Sequence, residues 1–251
     1  MLLVDCNRED LYKIVYEYFE KIHIKPSIAE IGVLRGENAL NMIEIIKPTT
    51  TYLIDSYSPT SQKSYKELQK LHSFMHSLEE YSEYYSGSLN RKSTYNRLNV
   101  SAKKLLSNFD VKFIKKESLE AIKYINGDLD YVYIDGNHNY ENVLEDLVTY
   151  SKKLKEHGII QLNDVVFSES SHKQNVGVID ALNRFLKTSD FQIVALNLRD
   201  WSDALIARKK FAGSILNVVS ESKFLKVMIP NALLGSYKIK YKDDSVVHIF
   251  E

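Results

Sequence analysis

The chain has 251 residues, with 33 basic and 33 acidic side chains, no net formal charge, 44% hydrophobic and 26% charged residues. Such a chain buries roughly 70–75% of its unfolded surface and needs no disulfide or structural metal, and its balanced charge argues against a nucleic-acid or anionic-membrane binder. The single cysteine, Cys6, excludes an internal disulfide and fits a reducing cytoplasm, and no apolar run reaches the roughly 20 residues needed to cross a bilayer.

The first ten residues are apolar for four positions and then charged, which does not read as a signal peptide. Asn7-Arg8-Glu9-Asp10 can open a helix with Leu11, Ile14, Val15, Tyr18, Phe19 and Ile22 on one face, ended by Pro26. Ser27 to Val33 reads as a buried strand, Glu37 to Ile46 as a helix, and Thr51 to Asp55 as a second strand ending on a carboxylate. Residues 57–97 break this rhythm; polar and rich in Ser and Tyr, they read as an inserted lid. A helix (Ser101–Phe109), a strand (Val111–Lys115) and a helix (Ser118–Ile125) follow. After them come a strand (Asp130–Asp135), a helix (Tyr140–Leu154) and a strand (Gly158–Leu162). A helix (Val178–Lys187) and two apolar runs around Phe191–Leu196 and Ala204–Ala207 complete the pattern, the runs forming an antiparallel edge hairpin. From Phe211 the segments look strand-like.

Strands alternating with helices every 25 to 40 residues predict an α/β, doubly wound, mostly parallel sheet of seven strands. The expected organisation is an N-terminal helix (1–26), a main domain (27–210) carrying the lid, and a β-rich extension (211–251).

Ligands of such sheets bind beyond the carboxyl ends of the strands. There the chain places Glu30-Ile31-Gly32-Val33-Leu34-Arg35-Gly36, a turn that lets a ligand approach the backbone, and Asp55, suited to ribose hydroxyls. Ser118 follows the third strand. The fourth ends in Asp135-Gly136-Asn137-His138, the densest polar cluster, and the fifth in Asn163-Asp164. If those two strands are neighbours, Asp135, Asn163 and Asp164 converge, a set suited to a partly hydrated Mg²⁺. His72 and His76 have metal-ligand spacing but lack a third ligand and read as a solvated helix face. Tyr81, Tyr84, Tyr85 and Tyr95 form a cluster suited to stacking on a sugar or base, or to packing between subunits.

Glu30–Gly36, Asp55, Tyr133–Tyr140 and Gly158–Asp164 together resemble class I S-adenosylmethionine-dependent methyltransferases with a Rossmann-like fold. The branch that looks most similar is the small-molecule O-methyltransferases, including macrolide-sugar enzymes and the cephalosporin-cluster protein of similar fold. The resemblance implies S-adenosylmethionine held by Glu30, Gly32, Gly36, Asp55, Ser118 and Asp135. It also implies Mg²⁺ on Asp135, Asn163 and Asp164, with His138 as general base and Asp135 beside it. Catechol-type enzymes carry Lys at the position of His138, and Asn163 departs from the acidic pair of metal-dependent members. The expected acceptor is a small molecule, a sugar or glycan precursor, and the expected assembly a homo-oligomer. Phenol, amine or phosphate acceptors without metal are the alternative within the family. Outside it stand an NAD-dependent oxidoreductase, which lacks its Gly-x-Gly-x-x-Gly here, and a non-catalytic glycan- or partner-binding protein.

Overall fold

The computed structural model describes residues 1–59, 82–168, 171, 174 and 176–234, and the backbone of 237–242 and 245–250. Its strands are β1 (Leu2–Val4), β2 (Ser27–Ile31), β3 (Thr50–Ile54), β4 (Val111–Ile114), β5 (Leu129–Ile134), β6 (Leu154–Leu162), β7 (Phe191–Asn197), β8 (Ala204–Arg208) and β9 (Lys226–Met228). A separate hairpin pairs β10 (Tyr237–Lys242) with β11 (Ser245–Phe250). The helices are α1 (Arg8–Lys21), α2 (Glu37–Ile46), α3 (Lys92–Leu105), α4 (Ser118–Ala121), α5 (Tyr140–Ser151), α6 (Val178–Thr188) and α7 (Lys209–Glu221).

The main sheet runs β4-β3-β2-β5-β6-β8-β7-β1-β9. Pairing is parallel from β4 through β6, antiparallel on both sides of β8, parallel between β7 and β1, and antiparallel at β9. The predicted α/β sheet is therefore present, with nine strands among the described residues rather than seven. The β7–β8 hairpin is present too, but β1 and β9 lie beyond it. Three residues at the start of the chain were too few to register as a strand before the helix they precede.

The expected strand-like run from Phe211 is corrected in its first part. Residues Lys209–Glu221 form a helix that buries Ala212, Ile215, Val218 and Val219, a spacing of three to four. The β-branched pair Val218-Val219 and Gly213 gave this stretch its strand-like composition, and the helical face won because it packs on β7 and β8. His72, His76 and Tyr81 lie outside the described residues.

The two faces of the sheet sort by alternation. On β5, Tyr131 and Tyr133 join α1, α2 and α7 in one core, while Val132 and Ile134 join α5 and α6 in the other. Buried tyrosines carry polar tips into this packing, and each finds a partner. Tyr18 donates to the His157 carbonyl at 3.0 Å, Tyr52 to that of Asn126 at 3.1 Å, and Tyr131 to Gln161 Oε1 at 2.9 Å.

One fully buried carboxylate ties the sheet together at its carboxyl edge. Asp203, just before β8, accepts from Arg8 Nε at 3.1 and 3.4 Å, Tyr133 hydroxyl at 3.1 Å, Gln161 Nε2 at 2.8 Å and Asn163 Nδ2 at 3.1 Å. Its own N–H donates to the Asn197 side chain at the end of β7. Helix α1 and strands β5, β6, β7 and β8 thus meet on one residue, the first three of them through its side chain. Replacing Asp203 by Ala should destabilise the fold by about 3–5 kcal/mol in urea denaturation, because it strands the Arg8 charge and three other donors. The pair Arg8→Met/Asp203→Leu should recover part of that loss. A change below about 1 kcal/mol for Asp203→Ala would remove this residue from its central place.

Candidate active site

Gly32 follows β2 at φ +88°, and a Cβ there would lie 1.9 Å from the Asp135 carbonyl oxygen. Only glycine lets the turns after β2 and β5 press together in this way. That contact brings the Glu30–Gly36 turn and the Asp135–His138 turn, separated by a hundred residues of chain, into one place. Gly36 sits at the start of α2, where no side chain caps the helix.

Glu30 is completely buried. Its Oε1 accepts from Asn38 Nδ2 at 2.7 Å, and Asn38 Oδ1 accepts in turn from the Tyr12 hydroxyl at 2.6 Å. Glu30 Oε2 has no partner. Burial pushes this carboxyl up to about 8. Asp55, at the end of β3, accepts at Oδ2 from the N–H groups of Val33 (3.1 Å) and Leu34 (3.0 Å) and at Oδ1 from Tyr57 (2.7 Å). A carboxylate offers about four lone-pair sites, so about one is left for a ligand rather than the pair expected for a ribose. Ser118 begins α4 on the same edge, and its carbonyl accepts from the Tyr150 hydroxyl at 2.8 Å.

The β5 turn is held from two sides. Asn137 Oδ1 accepts the Asn139 N–H at 3.0 Å, and the His138 carbonyl accepts the Gly177 N–H at 2.8 Å. The His138 ring lies between two carboxylates, Nε2 at 3.4 Å from Asp135 Oδ1 and Nδ1 at 3.6 Å from Asp164 Oδ2. Asp164 reaches this position from a left-handed backbone, φ +54°, which aspartate tolerates better than most residues. Burial opposes a charge on the ring, but Asp164 and Asp135 together outweigh it and hold His138 up at about 9. Burial raises Asp164 to about 6, with His138 pulling the other way.

Asp135, His138 and Asp164 thus come together, because β5 and β6 are neighbours. Asn163 does not join them. It is buried, with its amide committed to Asp203 at 3.1 Å. The donors expected for magnesium are therefore divided between the His138 ring and the Asp203 network. Among the described residues, no group of three or more His, Cys, Asp or Glu side chains could hold a metal ion. These residues do not fit the ion as a set. Tyr95 is also not free to stack on a ligand, since it is buried with its hydroxyl on the Leu89 carbonyl at 3.0 Å.

Sequence reasoning passed over Arg8 and Asp203, which interact electrostatically with Asp164 beside the ring. A signal existed in Gln161, a polar side chain inside the apolar run Ile159–Leu162 that is buried at the end of β6, since such a residue must find hydrogen-bond partners.

A family model described as "Methyltransferase domain" matches residues 29–165, more than half of the chain. The chain belongs to the methyltransferase domain family. No curated protein matches it. Among solved structures, the methyltransferase resembles a putative caffeoyl-CoA O-methyltransferase from Staphylococcus aureus at 15% identity and a TM-score of 0.52, over 82% of this chain and 86% of that one. It resembles the O-methyltransferase TomG from Streptomyces achromogenes at 11% identity and a TM-score of 0.52, over 81% of each chain. A third likeness is to the methyltransferase PaMTH1 from Podospora anserina, at 15% identity and a TM-score of 0.50, over 79% and 76%. At these identities the neighbours establish a common fold. With the family match, the fold makes this protein a class I S-adenosylmethionine-dependent methyltransferase.

The raised Glu30 carboxyl links stability to pH. Its folded pKa, about 8, lies above the ordinary 4.5, so its contribution is fully present below 4.5 and is lost as pH rises through 8. Glu30→Gln keeps the bond from Asn38 and removes the titration. The methyltransferase should therefore lose roughly 3–5 kcal/mol relative to this variant between pH 5 and pH 8.5 in paired denaturation curves. Parallel curves would contradict the assignment.

Proposed function

We propose that this methyltransferase transfers a methyl group to a hydroxyl oxygen of a small neutral acceptor, a sugar or glycan precursor, with His138 as the general base. The observation that carries this reading is the His138 ring held between Asp135 and Asp164 at the carboxyl edge, with the Asp135 backbone pressed against the glycine turn. The sugar acceptor rests on the three-residue spacing of Asp135 and His138, which resembles the sugar-modifying branch. Three structural neighbours bear the name O-methyltransferase, in keeping with transfer to oxygen.

Bound S-adenosylmethionine supplies a methyl group on a positively charged sulfur, already activated for in-line displacement. The residues around the glycine turn fit such a cofactor. Glu30 Oε2 is a buried carboxyl oxygen without a partner, the start of α2 is uncapped, and Asp55 keeps about one accepting site for a ribose hydroxyl. Ser118, on the neighbouring turn, is assigned to the adenine.

The chain must then align an oxygen and take its proton. His138 Nε2 is shielded from water and faces Asp135 Oδ1 at 3.4 Å, so the acceptor hydroxyl meets the ring from the Nδ1 side, 3.6 Å from Asp164 Oδ2. As the acceptor's O–C bond forms and the S–C bond breaks with its electron pair staying on sulfur, the hydroxyl proton passes to His138. The ring arrives with an obstacle of its own, because the two carboxylates keep it protonated to about 9. It must shed that proton before accepting another. The same carboxylates then stabilise the imidazolium that forms.

His138→Ala should lower kcat by about 100-fold or more while leaving S-adenosylhomocysteine affinity within about twofold. An unchanged kcat removes His138 from the mechanism. In the wild-type protein kcat should climb with pH and level off near 9, and a flat profile from pH 6 to 9 would contradict the proton transfer. Activity should also survive exhaustive chelation. Loss on chelation with recovery on adding Mg²⁺ would instead assign Asp135 and Asp164 to a metal.

A further inference from the structure

Helix α5 grips the first residue of α4 with two side chains one helical turn apart. Tyr150 donates its hydroxyl to the Ser118 carbonyl at 2.8 Å, and Asp146 hydrogen-bonds the Ser118 side chain. Both are buried, Tyr150 fully and Asp146 at 3% exposure, whereas Ser118 itself is half-buried at the carboxyl edge. The Asp146 carboxyl also backs the catalytic turn, since a Cβ on Gly136 would lie 3.8 Å from Asp146 Oδ2. Packing alone does not account for a carboxyl here. An apolar side chain would fill the same space between α5 and the sheet without the desolvation that an acid incurs.

The chemistry of this contact is directional. A serine hydroxyl has one proton and two lone pairs, and a carboxylate only accepts. When Asp146 accepts the Ser118 proton, the lone pairs of Ser118 Oγ face the open side of the turn. A ligand atom placed there must be a donor. The 6-position of a purine discriminates on this feature, because adenine presents an amino group and hypoxanthine a carbonyl.

We propose that Asp146 is a positioning residue that orients the Ser118 hydroxyl as an acceptor and thereby selects a 6-amino over a 6-oxo purine in the cofactor. This rests on the reading, made above, that Ser118 faces the adenine. Burial pushes the Asp146 carboxyl up to about 7, with Ser118 opposing and Glu145 and Glu117 adding to the rise, so mildly alkaline buffer keeps it an acceptor.

The test is equilibrium binding at pH 8.5 of S-adenosylhomocysteine and of its 6-oxo counterpart, S-inosylhomocysteine. Proteins compared are wild type, Asp146→Asn, Asp146→Ala, Ser118→Ala and the double variant Asp146→Asn/Ser118→Ala. Wild type should prefer the adenosyl ligand by about tenfold or more, the scale of one buried hydrogen bond made or left unmade. Asp146→Asn, which can donate to Ser118 Oγ, should reduce that preference to about threefold or less, as should Ser118→Ala, and the double variant should lose no more than either alone. Asp146→Ala carries the same expectation should the asparagine variant fail to fold. A residue that merely supports the fold would weaken both ligands equally and leave the ratio alone. A ratio unchanged in the Asp146 variants but lost in Ser118→Ala overturns the role of Asp146. A ratio unchanged in Ser118→Ala overturns the placement of Ser118 at the adenine, and the proposal with it.

Discussion

A carboxylate with no exposure to water, Asp203, sets the terms for much of this structure. Burying it is tolerable because four donors converge on it, one of them the Arg8 guanidinium, whose own charge would otherwise be stranded. Those donors come from α1, β5 and β6, and the Asp203 N–H holds Asn197 on β7. The antiparallel half of the sheet is thereby locked to the parallel half at the edge where the candidate site lies. Asn163 is one of the four, which is why a residue expected to face a ligand faces the interior.

The same arrangement shapes the electrostatics beside it. Asp135 and Asp164 flank His138, and Asp203 and Arg8 lie close enough to act on Asp164 electrostatically. The carboxylates favour a charged ring, while Arg8 and burial disfavour it. The outcome is a histidine poised as a cation in its resting state, with partners already in place for the charge that proton transfer would create. Glu30, by contrast, is buried with one amide for company and is pushed towards its neutral form.

Much of this was legible from the chain. The alternation of apolar runs with helical periods located the strands β2 to β8, because a sheet covered on both faces demands continuous apolar segments. Asp135 and His138 were visible as a site because they are three residues apart on one strand end, and Asp164 because its strand neighbours theirs. The Arg8–Asp203 pair was not, since 195 residues separate the partners and each alone resembles a surface charge. Helix Lys209–Glu221 was hidden by its β-branched and glycine content, which local propensity assigns elsewhere and tertiary packing overrides. The Asp55 carboxylate was correctly placed at a strand end, but its three backbone donors depend on how the glycine turn folds over it.

The short strand β1 has a consequence for how the molecule is made. Leu2, Leu3 and Val4 lie far upstream of the residues they pair with, Ala195 to Asn197 on one side and Lys226 to Met228 on the other. Contacts so distant along the chain form late and slowly, since a long loop must close before they contribute anything. During synthesis these apolar residues, buried in the folded protein, have no pairing partner until β7 and β9 have been made. The parallel half of the sheet, β2 to β6, can assemble meanwhile, and the first strand of the chain is among the last to find its place.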